Sequence, residues 1–129
     1  MGGSMKVITI KQPWASLIAY GYKRYEFRSW KTNYRGPIYI HAGKGVDKTA
    51  MKDFEYLNID YPKSKIVAQV YLEDCVFIDS KVDDKLKKEN KKLYSGHIGN
   101  YAWKLSGVKK IKNNRHINGQ LGLWNIEDL

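Results

Sequence analysis

Residues 12–41 carry a run of polar side chains, each placed where a backbone element should begin, turn or end. Gln12 stands at a strand-to-helix junction, and Lys23 follows a helix end. Glu26 and Arg28 share one face of a strand, Arg35 precedes a Gly-Pro turn, and His41 closes another strand. A lysine beside a glutamate in a partly dry cleft is a proton-transfer pair, because burial disfavours the charged forms and shifts both pKa values. If the first three strands pair around the helix, these groups converge at one rim of the sheet. The other reading of Lys23, Glu26 and Arg28 is a lattice of surface ion pairs. Lys23 follows the helix-ending Gly21, so it is expected to be exposed enough for truncation to cost little stability.

A binding chemistry also fits these residues. Gln12 and nearby backbone groups can read a base edge, while Trp14, Tyr34 or Tyr39 offers a stacking face. Lys23, Arg28, Arg35 and Lys44 can neutralise phosphate. Trp14 has a competing role as a core residue, since it lies on the inward face of its helix.

Other chemistries are excluded or weak. Gly43-Lys44-Gly45-Val46-Asp47-Lys48-Thr49 resembles a phosphate loop, but Asp47 occupies the position before Lys48 where that motif needs glycine. Triphosphate hydrolysis is therefore rejected. The turn and the following helix start can still hold one phosphate, or serve only as helix entry. His41, His97 and His116 have no partners at metal-ligand spacing, so no metal is expected. No serine or cysteine sits on a recognisable nucleophile turn. Cys75 is the only cysteine, which rules out an internal disulfide and a cysteine-rich zinc site. Nothing in the sequence asks for a cofactor.

The elements that must position these groups are legible from periodicity. Residues 6–10 alternate and are β-branched, a first strand. Gln12-Pro13-Trp14 opens a short helix with Pro13 at its first position and Trp14, Leu17 and Ile18 on one face. In the next strand Tyr25 and Phe27 alternate with Arg24, Glu26 and Arg28, giving an aromatic face and a charged face. Residues 33–37 turn, and residues 37–42 form a third strand, with Ile38 and Ile40 opposite Tyr39 and His41. Gly43 and Gly45 are expected to break the chain, after which Asp47 caps a helix reaching about residue 57. Residues 65–78 read as a long central strand. Residues 81–92, with six lysines and three acids, read as an exposed helix, either solvated or facing phosphate. Short strands follow at 101–105, 108–112 and 120–126. These elements predict an α+β fold, a curled mixed sheet closing into a small β-barrel with two to three peripheral helices.

Residues 1–4, Met-Gly-Gly-Ser before a second methionine, read as a tag remnant, and residues 5–129 as a single domain. The 129-residue chain has no apolar run approaching the roughly 20 residues of a membrane span, and no signal-peptide pattern opens it. The expectation is a cytoplasmic protein with no membrane partner. Its net charge is +10, from 23 Lys and Arg against 13 Asp and Glu. Such an excess favours anionic partners, and phosphate backbones are the commonest. The 10 Tyr and 4 Trp add faces on which bases can stack.

At these residues the sequence resembles the ASCH domain (activating signal cointegrator homology). The resemblance runs from Ile8-Thr9-Ile10-Lys11-Gln12-Pro13-Trp14-Ala15-Ser16 through Gly21-Tyr22-Lys23-Arg24-Tyr25-Glu26-Phe27-Arg28-Ser29-Trp30. It continues at Tyr34-Arg35-Gly36-Pro37, Ile40-His41-Ala42-Gly43, Tyr101-Ala102-Trp103 and Gly119-Gln120-Leu121-Gly122-Leu123-Trp124. It implies a PUA-like β-barrel with a cleft between barrel and first helix for a nucleoside, nucleotide or strand, and hence RNA, DNA or a nucleotide-like partner. Small enzymes of the family hydrolyse acetylated cytidine with a lysine, a threonine and a glutamate; another member is a ribonuclease, and the cointegrator type binds DNA. Lys23 matches the family lysine. The threonine position is Glu26 here, and Glu73 and Glu89 are candidates for the carboxylate. The Gln-Pro-Trp-Ala-Ser and Arg-Ser-Trp segments look more like the cointegrator-type members than the small enzymes. Two functions follow: a nucleic-acid or nucleotide-binding domain, or a hydrolase using Lys23 with Glu26 or Glu73.

Overall fold

The computed structural model describes residues 3–127 and residue 129; of the segment read as a tag remnant, Met1 and Gly2 lie outside these. The chain forms β1 (Met5–Gln12), α1 (Trp14–Ala19), β2 (Tyr25–Arg28), β3 (Gly36–Val46) and α2 (Lys48–Phe54), which runs on into a 3-10 turn at Glu55–Leu57. Then come β4 (Lys65–Phe77), α3 (Ser80–Tyr94), β5 (Tyr101–Lys110) and β6 (Leu123–Ile126). The strands make one mixed sheet in the order β2-β5-β4-β3-β1-β6. β1 runs parallel to β3, and the other neighbours are antiparallel.

The β-branched run of β1 puts it deep in this sheet, between β3 and β6, with Val7, Ile8 and Ile10 all buried. Three strands separate β1 from β2 in the order, yet the Arg28 guanidinium of β2 donates to the Thr9 carbonyl of β1 at 2.7 Å. The sheet therefore curls through most of a barrel, and a side chain rather than a backbone ladder spans the last gap.

Helix α1 has six residues, too few to be stable alone in water. Burial holds it: Ala15, Ser16, Leu17, Ile18 and Ala19 are all inside. Ile18 packs with the sheet cluster of Ile8, Ile40 and Trp103. Leu17 joins Phe54 of α2 and Leu86, Leu93 and Tyr94 of α3 in a second cluster. Gly21 then takes φ +84° beyond the helix end, donating its N–H to the Ile18 carbonyl, the C-terminal turn expected of a glycine there.

Gly43 and Gly45 do not break the chain. β3 runs through both to Val46, which pairs with Gln12. Their role is close approach: a Cβ on Gly43 would meet the Thr9 methyl at 2.8 Å. Asp47 caps α2, accepting from the Ala50 N–H at 3.0 Å. Residues 101–105 and 108–112, expected as two strands, merge into β5 through Gly107 at φ +59°, where the register against β4 slips. Pro13 sits just ahead of α1 rather than within it.

Candidate functional site

The end of α1 positions the first functional group. The Leu17 carbonyl accepts from both the Tyr22 and Lys23 N–H groups, and this turn sends the Lys23 side chain inward. Lys23 is only 4% exposed, contrary to the expectation of an exposed lysine. Its Nζ lies 3.0 Å from Glu26 Oε1 and over two rings, 5.3 Å from the centre of Trp14 and 5.1 Å from that of Phe27. Glu26 Oε2 is held from the other side by Arg28, whose Nε donates at 3.1 Å. The alternation of β2 makes this possible, because Glu26 and Arg28 project on the same face.

Burial is the main cause that lowers the Lys23 pKa from its usual value; the charge and hydrogen bond of Glu26 pull the other way, and Arg28 adds to the lowering. Two cations thus share one carboxylate, with one of them wrapped in aromatic rings. Such rings stabilise an ammonium that has lost water.

These groups line a cleft of about 540 Å³, whose other walls include Trp14, Thr9, Lys11, Lys44, His97 and Gln120. Lys11 and Lys44 are exposed on its walls. Leu121, at 98% exposure, stands fully in solvent beside it.

His97 was not singled out by sequence reasoning. Its ring lies flat on Phe27, with centres 3.8 Å apart and planes 4° from parallel. Burial, then the Lys23 charge, lower its pKa, while Glu26 and Asp83 oppose this. His97 lies in a Gly-rich turn, where no periodicity marks a facing direction. The one available signal was an aromatic-type ring flanked by glycines after a lysine-rich helix.

Gln12, His41, Tyr34, Arg35 and Tyr39 do not join the cleft. Gln12 is 1% exposed and serves α1 itself. Its Oε1 accepts from the Ser16 N–H at 2.9 Å, while its Nε2 donates to Ser16 Oγ and the Pro62 carbonyl, each at 2.8 Å. Because Pro13 offers the helix start no side-chain cap, a buried amide satisfies one of the orphan donors there.

His41 is completely buried behind the cleft floor. Its Nε2 lies 2.6 Å from the Ile117 carbonyl, which can only accept, so Nε2 carries the proton. Nδ1 is then left to accept from Thr9 Oγ1 at 3.2 Å, and that hydroxyl in turn accepts from Trp124 Nε1 at 3.1 Å. Burial lowers the His41 pKa, in keeping with a neutral ring. This chain of bonds fixes Thr9 from beneath.

Tyr34 donates to the Pro37 carbonyl, and Arg35 donates to the Thr32 and Tyr34 carbonyls and pairs with Asp74 at 3.6 Å. Both are thus spent on their own turn. Tyr39 packs with Val7, Ile66 and Trp124 under the C-terminal loop. Glu73 borders a different depression, with Lys85 and Lys104. Glu89 accepts from the Tyr25 hydroxyl at 3.3 Å and pairs with Arg24. The carboxylate beside Lys23 is accordingly Glu26. Among the described residues no group of three or more His, Cys, Asp or Glu could hold a metal ion, and no helix is long and apolar enough to cross a membrane.

Comparison with known proteins places the chain in a family. Activating signal cointegrator 1 of Mus musculus is 38% identical over 82 residues, and that of Homo sapiens 37%. Each match covers 54% of this chain but only 14% of the cointegrator, so the chain corresponds to a small part of those relatives. The crystal structure of ASCH from Zymomonas mobilis superposes with a TM-score of 0.55 at 20% identity, covering 88% of this chain and 73% of that one. Two point mutants of the bacterial protein superpose equally well. At that identity the likeness concerns the fold alone. The family model of the ASCH domain matches residues 8–115, and the chain belongs to the ASCH domain family.

Proposed function

We propose that the Lys23 cleft binds a nucleotide, most naturally one carried on RNA. One observation carries this reading: a Lys23–Glu26–Arg28 cluster, with Lys23 and Glu26 buried, inside a concave site walled by Trp14, Phe27 and His97. The volume, about 540 Å³, lies within the range of small-ligand sites. A base stacks against the rings, and its polar edge meets fixed partners. Glu26 has spare lone pairs for a base N–H, since a carboxylate accepts up to about four hydrogen bonds, and Lys23 has N–H groups for a base carbonyl. Lys11 and Lys44 meet the phosphates from the walls. The identities of 38% and 37% to two cointegrators support a chain nearer the cointegrator type than the small enzymes. A cytoplasmic location belongs to the same proposal.

Salt-titrated anisotropy with short RNA and DNA tests it. Affinity should fall steeply with salt, with a logarithmic slope of about −0.7 per phosphate contact on single strands. Affinity unchanged between about 50 and 200 mM salt would remove the phosphates from the reading and favour an uncharged ligand.

A hydrolase is the second reading, favoured by the 3.0 Å Lys23–Glu26 contact in a concave site and the lowered Lys23 pKa. In its neutral form the Lys23 amine takes a proton from water as that water attacks an amide carbonyl, and Arg28 holds the developing oxyanion. The resulting ammonium gives the proton to the leaving nitrogen as the C–N bond breaks, releasing the acid and the amine. Release of acetate from acetylated cytidine, abolished by Lys23→Met, is the expected result. A panel of modified nucleosides left intact would eliminate it.

A further inference from the structure

The second large depression of the molecule, about 680 Å³, has no wall residue in common with the Lys23 cleft. It lies beside the C-terminal end of α1, bordered by Tyr20, Tyr61, Lys65, Lys110, Lys112 and Asn114. Asp60 is the one acid on its walls. Lys110 places its Nζ 3.9 Å from the centre of the Tyr20 ring.

The tyrosines extend beyond the depression. Tyr61 is anchored by its hydroxyl, which donates to the Phe54 carbonyl at 2.9 Å. Burial raises its pKa, and the neighbouring Tyr22, Tyr56, Glu55 and Tyr20 raise it further. Two of these neighbours show their rings to solvent, Tyr22 at 48% and Tyr56 at 73% exposure. Lys92 reaches back from α3 over Tyr56, 5.2 Å from its centre, and is tethered by its hydrogen bond to the Asp53 carbonyl. A belt of lysines and tyrosines thus runs from the end of β5, where Lys110 lies over Tyr20, to the 3-10 turn after α2, where Lys92 lies over Tyr56.

Three lysines against the single acid Asp60 leave the walls net basic, and Tyr22 and Tyr56 offer ring faces to solvent. A single-stranded nucleic acid answers both, because bases stack on aromatic faces without regard to sequence while a lysine-lined groove follows the phosphates. An acidic peptide would satisfy the lysines but leave the rings uncovered.

We propose that this belt is a second nucleic-acid site, taking single-stranded RNA or DNA with phosphates on Lys65, Lys110 and Lys112 and bases on Tyr22 and Tyr56. It does not rest on the reading of the Lys23 cleft.

The test uses the whole chain with fluorescent oligo(U) and oligo(dT) of about twelve nucleotides, within the span of one small binding domain. Tyr56→Ala should weaken strand binding about tenfold, the loss of one stacked base. Lys65→Gln with Lys112→Gln should flatten the salt slope by about 1.4, two contacts at about 0.7 each. If the parent chain binds a mononucleotide, both variants should bind it equally well. Strand affinity and slope left intact by these substitutions would overturn the proposal, as would failure of the parent chain to bind either strand. An abasic oligomer or polyglutamate binding as tightly as oligo(dT) would also overturn it, by showing that the rings contribute nothing. If Lys44→Gln alone abolished strand binding while the belt variants bound normally, the strand would lie in the cleft, and the cleft reading would stand without the belt.

Discussion

Lys23 and Lys87 make nearly the same bond, yet their surroundings shift their pKa values in opposite directions. Lys23 reaches Glu26 at 3.0 Å, and Lys87 reaches Asp83 at 2.9 Å. Burial of the Lys23 ammonium outweighs its carboxylate and lowers its pKa. Lys87 keeps its ammonium in water, so its hydrogen bond and attraction to Asp83 prevail and raise it. Water, rather than the partner or the distance, separates a lysine whose charge is disfavoured from one whose charge is favoured. Helix α3 has the chain's densest run of lysines, yet its lysines alternate with buried Leu86 and Leu93 as a solvated face.

The comparison can be broken most forcefully at Glu26. Glu26→Ala leaves Lys23 and Arg28 facing each other without their shared anion. Losing one member of a buried pair typically costs 3–5 kcal/mol. Because Lys23 can shed its proton, about 3 kcal/mol is expected, read as a lower denaturation midpoint. A loss under about 0.5 kcal/mol, typical of a surface site, would mean that the cluster is solvated after all.

Lys23→Met should separate binding from folding. Glu26 keeps Arg28, and the thioether fills the space between Trp14 and Phe27, so stability should stay within about 1.5 kcal/mol of the parent. Removing a charged donor should weaken nucleotide affinity about tenfold or more. Calorimetric titration beside thermal melts measures both. Unchanged affinity would reduce Lys23 to a structural residue.

On α3 the expected effects are smaller and differ between neighbours. Asp83 is 2% exposed, and its Oδ1 has no hydrogen-bond partner among the described residues. Lys87→Ala takes away the cation on its other oxygen and should lower the melting temperature. Lys88→Ala, exposed on the same helix, should not. Equal melts for the two would cancel the role given to Asp83.

The smallest effect is a pair of opposed alkaline slopes. Between its lowered folded pKa and the ordinary 10.5, Lys23 is protonated more fully in the unfolded chain, so its contribution to stability rises with pH there. Lys87 stabilises fully below 10.5 and loses that contribution as pH passes its raised folded value. Denaturant midpoints followed up to about pH 11 should flatten in Lys23→Met and lose less on the alkaline side in Lys87→Ala.

Much of this site was legible because β2 states its own geometry. Tyr25 and Phe27 against Glu26 and Arg28 fixes which pair turns toward the helix, and Gly21 places Lys23 at the turn before it. Gln12 was misjudged for a physical reason: a polar residue at a junction looks free, but a buried helix start without a side-chain cap consumes it. Gly43 and Gly45 were mistaken for breaks because a glycine needed for close approach to Thr9 or Lys11 reads, in one dimension, like a glycine needed for a turn. The stack of His97 on Phe27 joins residues 70 positions apart, a distance no local pattern spans. The exposure of Lys23 was misjudged because burial depends on α3 and the loop of His97, which arrive later in the chain.

Arg28 is both a wall of the cleft and the link by which β2 reaches β1. A phosphate that draws its guanidinium away from the Thr9 carbonyl also unlatches the seam of the barrel. Ligand affinity and local opening of β2 are then thermodynamically coupled, and amide protons along β2 and its partner β5 should report occupancy through their exchange rates. An anion seated on Arg28 should speed that exchange, whereas a ligand that leaves the guanidinium on Thr9 should slow it. The exchange rates of an edge strand would then distinguish a ligand that engages Arg28 from one that does not.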